Sequence, residues 1–301
     1  MRALVTGGAG FIGSHLVELL EEKGIDVVVL DDLSTGRREN LKGTKAKLVV
    51  GSIENSMTLE SSLQDCSVIF HLAAVIPMFE AFSNPAKFIS INTAGTANVL
   101  SYAKKFGIEH IVFVSSAAVY GDSQNFPINE AAQTKPMNPY AVSKLAAEQL
   151  CTLWANEFGT SITIVRLFNA YGPRQYLHSK YSAVIPSFIK SAKSKKPFII
   201  FGDGNQTRDF IFIKDVVDAL WFLYDRRYCG VVNLATGTET SIIKLAQIIA
   251  DMIGVEPSFD FREPRNGDVT RSVADISKLV SLGFKPKVDI VEGLQKTIEA
   301  Y

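Results

Sequence analysis

Tyr140 and Lys144 stand four residues apart, directly after Pro139, at the head of a stretch whose pattern predicts a helix over 139–158. Four residues is about one helical turn, so both side chains fall on one face. An ammonium beside a phenol favours the phenolate, which lowers the tyrosine pKa and makes a general base for a substrate hydroxyl. The same pair also occurs by chance on exposed helix faces, so its weight comes from its surroundings. Ser115 and Ser116 close a strand expected over 110–114. A hydroxyl there can hydrogen-bond a reacting oxygen, or simply cap a turn. Near the start of the chain, Gly7, Gly8, Gly10 and Gly13 lie between a first strand and a first helix. Such glycines let the backbone turn tightly and approach a pyrophosphate, and the helix N-terminus offers that anion free N–H groups. Asp31 comes eighteen residues after Gly13, at the end of the second strand. A carboxylate there accepts both hydroxyls of an adenosine ribose and repels a 2′-phosphate, which favours NAD over NADP. Asp32 is the alternative ribose acceptor, and Arg37 and Arg38 leave NADP open.

These residues need a frame. Short runs rich in Val and Ile predict strands over 2–6, 26–30, 46–50, 67–71, 110–114 and 162–166. Helices are expected over 11–23, 56–64, 86–106 and 139–158. Alternating β and α units imply a parallel, doubly wound sheet with right-handed crossovers. After Arg166 the rhythm changes. Residues 169–181 read as a polar loop, 186–193 as a helix, 198–201 as a strand and 202–207 as a turn. Helices over 214–224 and 241–252 flank a strand over 231–234, and Pro257, Pro264 and Gly267 break up the stretch before the tail. The expected division is a dinucleotide-binding domain over 1–166 and a smaller α/β domain over 167–301, some segments of which can return to the first.

The chain has 301 residues, of which 47% are apolar and 21% charged, a balance that excludes long disorder, collagen and coiled coil. Thirty-one basic and thirty-one acidic residues cancel, so nothing asks for nucleic acid, although a neutral chain can hold a local basic pocket. Cys66, Cys151 and Cys229 are odd in number and far apart, which fits reduced thiols in the cytoplasm rather than disulfides or zinc. No apolar run approaches a membrane span, and a motif starting at Gly7 leaves no room for a signal peptide ahead of it. His15, His71, His110 and His178 are scattered, so no metal site is expected. For His71, at a strand end by the cofactor edge, the expectation is a contact through its backbone rather than its imidazole.

The chain resembles the extended short-chain dehydrogenases/reductases, specifically the NAD-dependent sugar epimerase/dehydratase group. The resemblance spans nearly the whole sequence. It rests on the glycine turn, Asp31, His71 with Leu72, Ala73 and Ala74, Asn92 with Thr96, Ser115 and Ser116, Tyr140 with Lys144, and the run 166–174. Further on it includes Phe201 with Gly202, Arg208 with Asp209, Asn233, and Arg265 with Asp268. It implies a Rossmann-type sheet with a smaller substrate-binding domain. The cofactor contacts it implies for NAD are Gly7, Gly10, Phe11, Ile12 and Gly13, then Asp31, Asp32, Ser34, Thr35 and Gly36. They continue with Ser52, Ile53, Leu72, Ala73, Ala74 and Asn92, and end with Tyr140, Lys144 and Phe168. Ser52 stands where the family usually has an aspartate near adenine, and a hydroxyl there still makes one hydrogen bond.

In this group a tyrosine takes the sugar 4-hydroxyl proton while NAD takes the C4 hydride, giving a 4-keto sugar. In the dehydratases an Asp-Glu pair follows the catalytic hydroxyl residue, and in the UDP-glucuronate decarboxylases a Glu sits two residues after it. Here those places hold Ala117 and Ala118. The resemblance therefore implies Ser116, Tyr140 and Lys144 as catalytic residues of a UDP-hexose 4-epimerase. A related dehydratase, decarboxylase or reductase, or a non-catalytic NAD(P) sensor, are the alternatives. Implied substrate contacts are Ser116, Tyr140, Asn169, Val184, Phe201, Arg208, Arg265, Asp268 and Ser272. Asn169, Arg208 and Arg265 fall at the diphosphate, with Asp268 near the uridine ribose. An ion pair between Arg208 and Asp209 is the bland alternative for that dipeptide. Ser272 takes a place filled by either tyrosine or a small residue, which opens the site to N-acetylated sugars unless it is merely small and exposed. The helices over 86–106 and 139–158 imply a homodimer.

Overall fold

The computed structural model describes residues 1–76, 81–175, 183–264 and 267–301. The chain forms two compact units. One comprises Met1–Val119, Pro136–Leu167 and Val216–Val232, the other Tyr120–Lys135, Phe168–Asp215 and Asn233–Tyr301.

The short apolar runs become strands β1 (Arg2–Thr6), β2 (Asp26–Asp31), β3 (Lys47–Val50), β4 (Val68–His71), β5 (His110–Ser116) and β6 (Ser161–Leu167). With β10 (Gly230–Leu234) they form a seven-stranded sheet in the order β3-β2-β1-β4-β5-β6-β10. All pairings from β3 to β6 are parallel. This is the doubly wound α/β architecture, and its order reverses between β1 and β4. Helices α1 (Phe11–Glu22) and α2 (Ser56–Leu63) match their expected places. Helix α5 (Pro139–Phe158) starts with Pro139 after an Asn138 cap that accepts from the Ala141 N–H, and it stops at left-handed Gly159. Its apolar residues Ala147 and Cys151 pack into the core with Leu100 and Ala103 of α4 (Gly95–Lys105) and with Ile111 and Ile162 of the sheet.

The helix expected over 86–106 is not a single regular helix. It begins as α3 (Pro85–Phe88), widens into a π-helical turn at Ile89–Ala94, and resumes as α4. A π turn carries an extra residue per turn and is frequent at functional sites. Asn92 lies in it.

In the second unit, residues 169–171 are not loop. They form β7 (Asn169–Tyr171), which pairs in parallel with β9 (Thr207–Phe212), and β9 pairs antiparallel with β11 (Glu239–Ser241). Strands β8 (Phe198–Phe201) and β12 (Phe259–Arg262) make a second small sheet. Helices α6 (Val184–Lys193), α8 (Ile242–Ile253), α9 (Ser277–Leu282) and α10 (Ile290–Glu299) belong to this unit, while α7 (Ile213–Asp225) begins in it. Strands β9, β11 and β12 and the last two helices have no counterpart in the sequence pattern.

Helix α10 carries Gly293 where alanine would ordinarily favour a helix by about 1 kcal/mol. A Cβ there would overlap the Tyr171 hydroxyl and lie 3.0 Å from the Phe212 ring. Gly293→Ala is therefore expected to destabilise the protein by about 1–3 kcal/mol, the usual cost of overpacking, read as a lower urea midpoint. A raised midpoint would show that the helix term dominates.

Candidate active site

The carboxyl ends of β1 and β4 face the point where strand order reverses, the ligand crevice of doubly wound sheets. The glycine turn sits on β1. Gly7 has φ +71°, and a Cβ on it would come within 2.9 Å of the Ala73 nitrogen in the segment following β4. A Cβ on Gly13 would collide with the Gly7 carbonyl. Helix α1 opens after Gly10, which offers no side-chain cap, so its first N–H groups face outward without a side-chain acceptor. Phe11 and Ile12 open that helix. A close backbone turn with uncapped amides is the cradle a dinucleotide pyrophosphate requires, so the residues present fit NAD.

Asp31 is buried, while Asp32 is exposed. Asp31 Oδ2 accepts from the Ala9 N–H at 2.9 Å and Oδ1 from the Leu33 N–H at 2.8 Å. Burial raises its pKa, and these two bonds oppose the rise. Asp32 instead holds Ser34, through its backbone and hydroxyl. Thr35 is exposed, and Gly36 packs so closely that a Cβ would sit 2.6 Å from Asp31 Oδ1. Ser52 accepts from the Glu54 N–H at 3.1 Å, and Ile53 is buried beside Gly95. Leu72 bonds Thr6, and Ala73 and Ala74 continue that segment. Asn92 grips Val75 from both ends of its amide and donates to Ser143 Oγ.

Tyr140, Lys144 and Ser116 come together in the first unit. The Tyr140 phenol is buried and hydrogen-bonds Ser116, whose Oγ also accepts from the Ala118 N–H. The expected lowering of the phenol pKa by Lys144 is not what governs it. Burial raises it, and Ser116 is the group that pulls it down. The Lys144 ammonium points elsewhere, donating to the Val114 carbonyl at 2.7 Å and lying 4.7 Å from the centre of the Phe113 ring. Burial lowers its pKa to about 8, against the pull of Cys151 and Glu148.

Sequence reasoning missed the supports behind these groups. Glu148, one turn beyond Lys144, takes a fork from Arg166 (Nη2 to Oε2, 2.7 Å) and a 2.5 Å bond from the Ser115 hydroxyl, with both charged side chains under a tenth exposed. An acid four residues after Lys144, on the helix face that carries Tyr140 and Lys144, was the available signal. The His71 imidazole was also missed. It is buried and bonded to Thr6 and Thr96, so its ring is engaged as well as its backbone. His15 lies 3.8 Å from Glu18, and His110 bonds Thr163. His178 lies outside the described residues, among which no cluster of His, Cys, Asp and Glu could hold a metal ion.

In the second unit, Arg208 pairs with Asp268 and donates to the Thr207 carbonyl. The alternative ion pair between Arg208 and Asp209 is not formed. Asp209 is fully buried and accepts from Thr236, Gly237 and Ala274. Asn169 donates to the Asp209 carbonyl at 3.3 Å. Ser272 is buried, not exposed, and Phe201 ends β8. Phe168 is buried and tied to Leu234, and Val184 opens α6. Arg265 lies outside the described residues.

Among the described residues no helix is long and apolar enough to cross a membrane. The chain is 37% identical over 310 residues to the UDP-glucose 4-epimerase of Mycolicibacterium smegmatis, covering all of this chain and 98% of that one. The crystal structure of Thermotoga maritima UDP-glucose 4-epimerase with UDP-glucose superposes with a TM-score of 0.95 at 34% identity, over 100% of this chain and 98% of that one. The UDP-N-acetylglucosamine 4-epimerase of Methanobrevibacter ruminantium also gives 0.95 at 34% identity, over 99% and 97%. The model of the NAD-dependent epimerase/dehydratase family matches residues 3–235, and the chain belongs to that family.

Proposed function

We propose that this chain is an NAD-dependent UDP-hexose 4-epimerase, interconverting UDP-glucose and UDP-galactose through a 4-keto sugar. The observation that carries the reading is Tyr140 bonded to Ser116 beside buried Lys144, with alanine at both following positions. Tyr140 removes the proton of the sugar 4-hydroxyl, and Ser116 shares that proton through its hydroxyl. Bound NAD would supply the acceptor for the C4 hydride and the donor that returns it to the other face of the sugar. Ala117 and Ala118 carry no proton, so neither elimination nor decarboxylation has its usual catalyst there. Lys144 holds the nicotinamide ribose. The cradle of Gly7, Gly10 and Gly13 takes the pyrophosphate, with Asp31 at the adenosine ribose.

In the second unit Asn169, Arg208 and Arg265 take the substrate diphosphate and Asp268 the uridine ribose, with Val184 and Phe201 as further contacts. Guanidinium groups suit such a site because their donors match phosphate oxygens in pairs. Ser272, small and buried, leaves room for a 2-acetamido group, which supports N-acetylated UDP-hexoses as additional substrates. Val142 and Leu153, eleven residues apart on one face of α5, are both exposed, which supports a homodimer through this helix. Three unpaired cysteines support a place in the cytoplasm.

Incubation with UDP-galactose, without added reductant, is expected to yield UDP-glucose alone. A 4-keto product, or carbon dioxide from UDP-glucuronate, would overturn the reading. UDP-N-acetylglucosamine should turn over too, and its refusal would end the wider-pocket proposal. Tyr140→Phe should reduce kcat by about 10²–10⁴, the usual worth of a general base, with NAD still bound.

Lys144→Met tests the cost of the buried ammonium. A native pKa near 8, against 10.5 for the free group, corresponds to about 3 kcal/mol of destabilisation at pH 7. The variant should therefore be more stable at pH 7, by that amount less about 1 kcal/mol for the lost bond to Val114, while losing activity. Between pH 8 and 10.5 the unfolded wild type binds more protons than the native one, so wild-type stability climbs and the difference shrinks. Denaturation midpoints across this range check it. A less stable variant at pH 7 would show that the ammonium is not a burden.

A further inference from the structure

Thr6, His71, Thr96 and Asn92 form a buried polar row in the first unit, each at most 1% exposed. Their hydrogen bonds can be assigned without ambiguity. Thr96 Oγ1 lies 2.6 Å from the Asn92 carbonyl, which can only accept, so the Thr96 proton is committed there. Its oxygen is also 3.0 Å from His71 Nε2, so Nε2 must carry the ring proton. On the other side, Thr6 Oγ1 accepts from the Ala73 N–H at 3.2 Å and stands 2.7 Å from His71 Nδ1. A bare Nδ1 accepts the Thr6 proton, which satisfies every group in the row. Burial, with Lys144 nearby, lowers the ring pKa to about 3, which agrees with a neutral imidazole.

The row does not end at Asn92. Its amide holds Val75 and donates to Ser143 Oγ at 3.0 Å, and Ser143 donates to the Tyr140 carbonyl at 2.7 Å. At the other end Ala73 packs against Gly7 with no space for a Cβ. A continuous chain of directed bonds thus joins the glycine turn to the first turn of α5. We propose that His71, with its single proton on Nε2, is a positioning residue that holds the segment 72–75 in register with Asn92 and the Tyr140 turn. The proposal rests on reading this edge as the NAD site.

The test has two parts. In ¹⁵N-histidine-labelled protein, with the His71 signal assigned by its loss in His71→Phe, long-range correlations at pH 7 should show a protonated Nε2 and a bare Nδ1. A protonated Nδ1 would overturn the assignment. In NAD-free protein, His71→Phe keeps an aromatic ring but makes neither bond, and should weaken NAD binding at least tenfold by calorimetry. His71→Gln, whose amide can donate to Thr96, should recover affinity to within threefold of wild type. A role limited to packing predicts the reverse, with Phe near wild type, and that result would sink the proposal. Should His71→Phe not fold, Thr96→Val removes the acceptor of the Nε2 proton, together with the Thr96 bond to the Asn92 carbonyl, and carries the same tenfold expectation. The same variant should lower kcat tenfold at saturating NAD, with KM for UDP-galactose within threefold. Wild type that binds NAD yet leaves UDP-galactose unchanged would end the epimerase reading while the tautomer and affinity results still judge His71.

Discussion

Glu148 enters the interior as a carboxylate and is met there by the Arg166 fork and the Ser115 hydroxyl. Burying either charge alone would cost several kcal/mol, whereas a well-packed apolar pair could be as stable as the ion pair itself. Stability is thus a weak reason for the pair to exist. Its effect is directional. Arg166 lies opposite Ser115 in the β5–β6 register, so both partners of Glu148 come from one place on the sheet. Bonds from two side chains converging on one carboxylate hold the rotation and axial position of α5. Tyr140, Lys144 and Glu148 recur every four residues, so locating the third locates the other two. Ser116, next to Ser115 on the strand, is set by the same contact and meets Tyr140.

The remaining half of this frame is polar as well. The π-helical turn brings Asn92 to Val75 and Ser143, so a departure from regular helix supplies a side-chain clamp that an unbroken helix would place differently. Apolar packing beneath, among residues such as Leu100, Ile111 and Ala147, provides the bulk of the burial and little of the aim.

Much of this was legible in the sequence, and the reason is periodicity. Strands β1 to β6 and helix α5 are short repeats of buried residues with punctuation at their ends, and Gly7, Gly13, Asp31, Tyr140 and Lys144 sit at those ends. The second unit is less legible because its elements are short and mixed. Strands β7 and β11 have three residues each, too few to establish a period, and β9 follows a glycine turn without a break in polarity. The π turn was illegible because Ile89–Ala94 holds no glycine or proline to mark a break, and the turn puts the pattern only one residue out of phase. The Tyr140 pKa escapes the sequence for another reason. Spacing tells which side chains share a face, but not where a long ammonium chain ends, and Lys144 ends on Val114.

Buried carboxylates solve the same problem in both units. Asp209 accepts from the backbone of Thr236, Gly237 and Ala274, and Asp215 from Lys287 and Val288. Each pins a loop that has no ladder of its own, because an ionised carboxylate offers about four acceptor positions to amides that must otherwise reach water. Asp31 is the instructive member of the set. It uses two positions on Ala9 and Leu33, which leaves about two for the vicinal hydroxyls of a ribose. Gly36 keeps the approach open, since any side chain there would lie against both carboxylate oxygens. Burial alone would favour the protonated acid, which accepts less well, and the two loop amides oppose that by bonding the charged form. The bonds that fold the turn are therefore also those that keep Asp31 an acceptor, and removing either amide contact would weaken the shape of the site and its chemistry together.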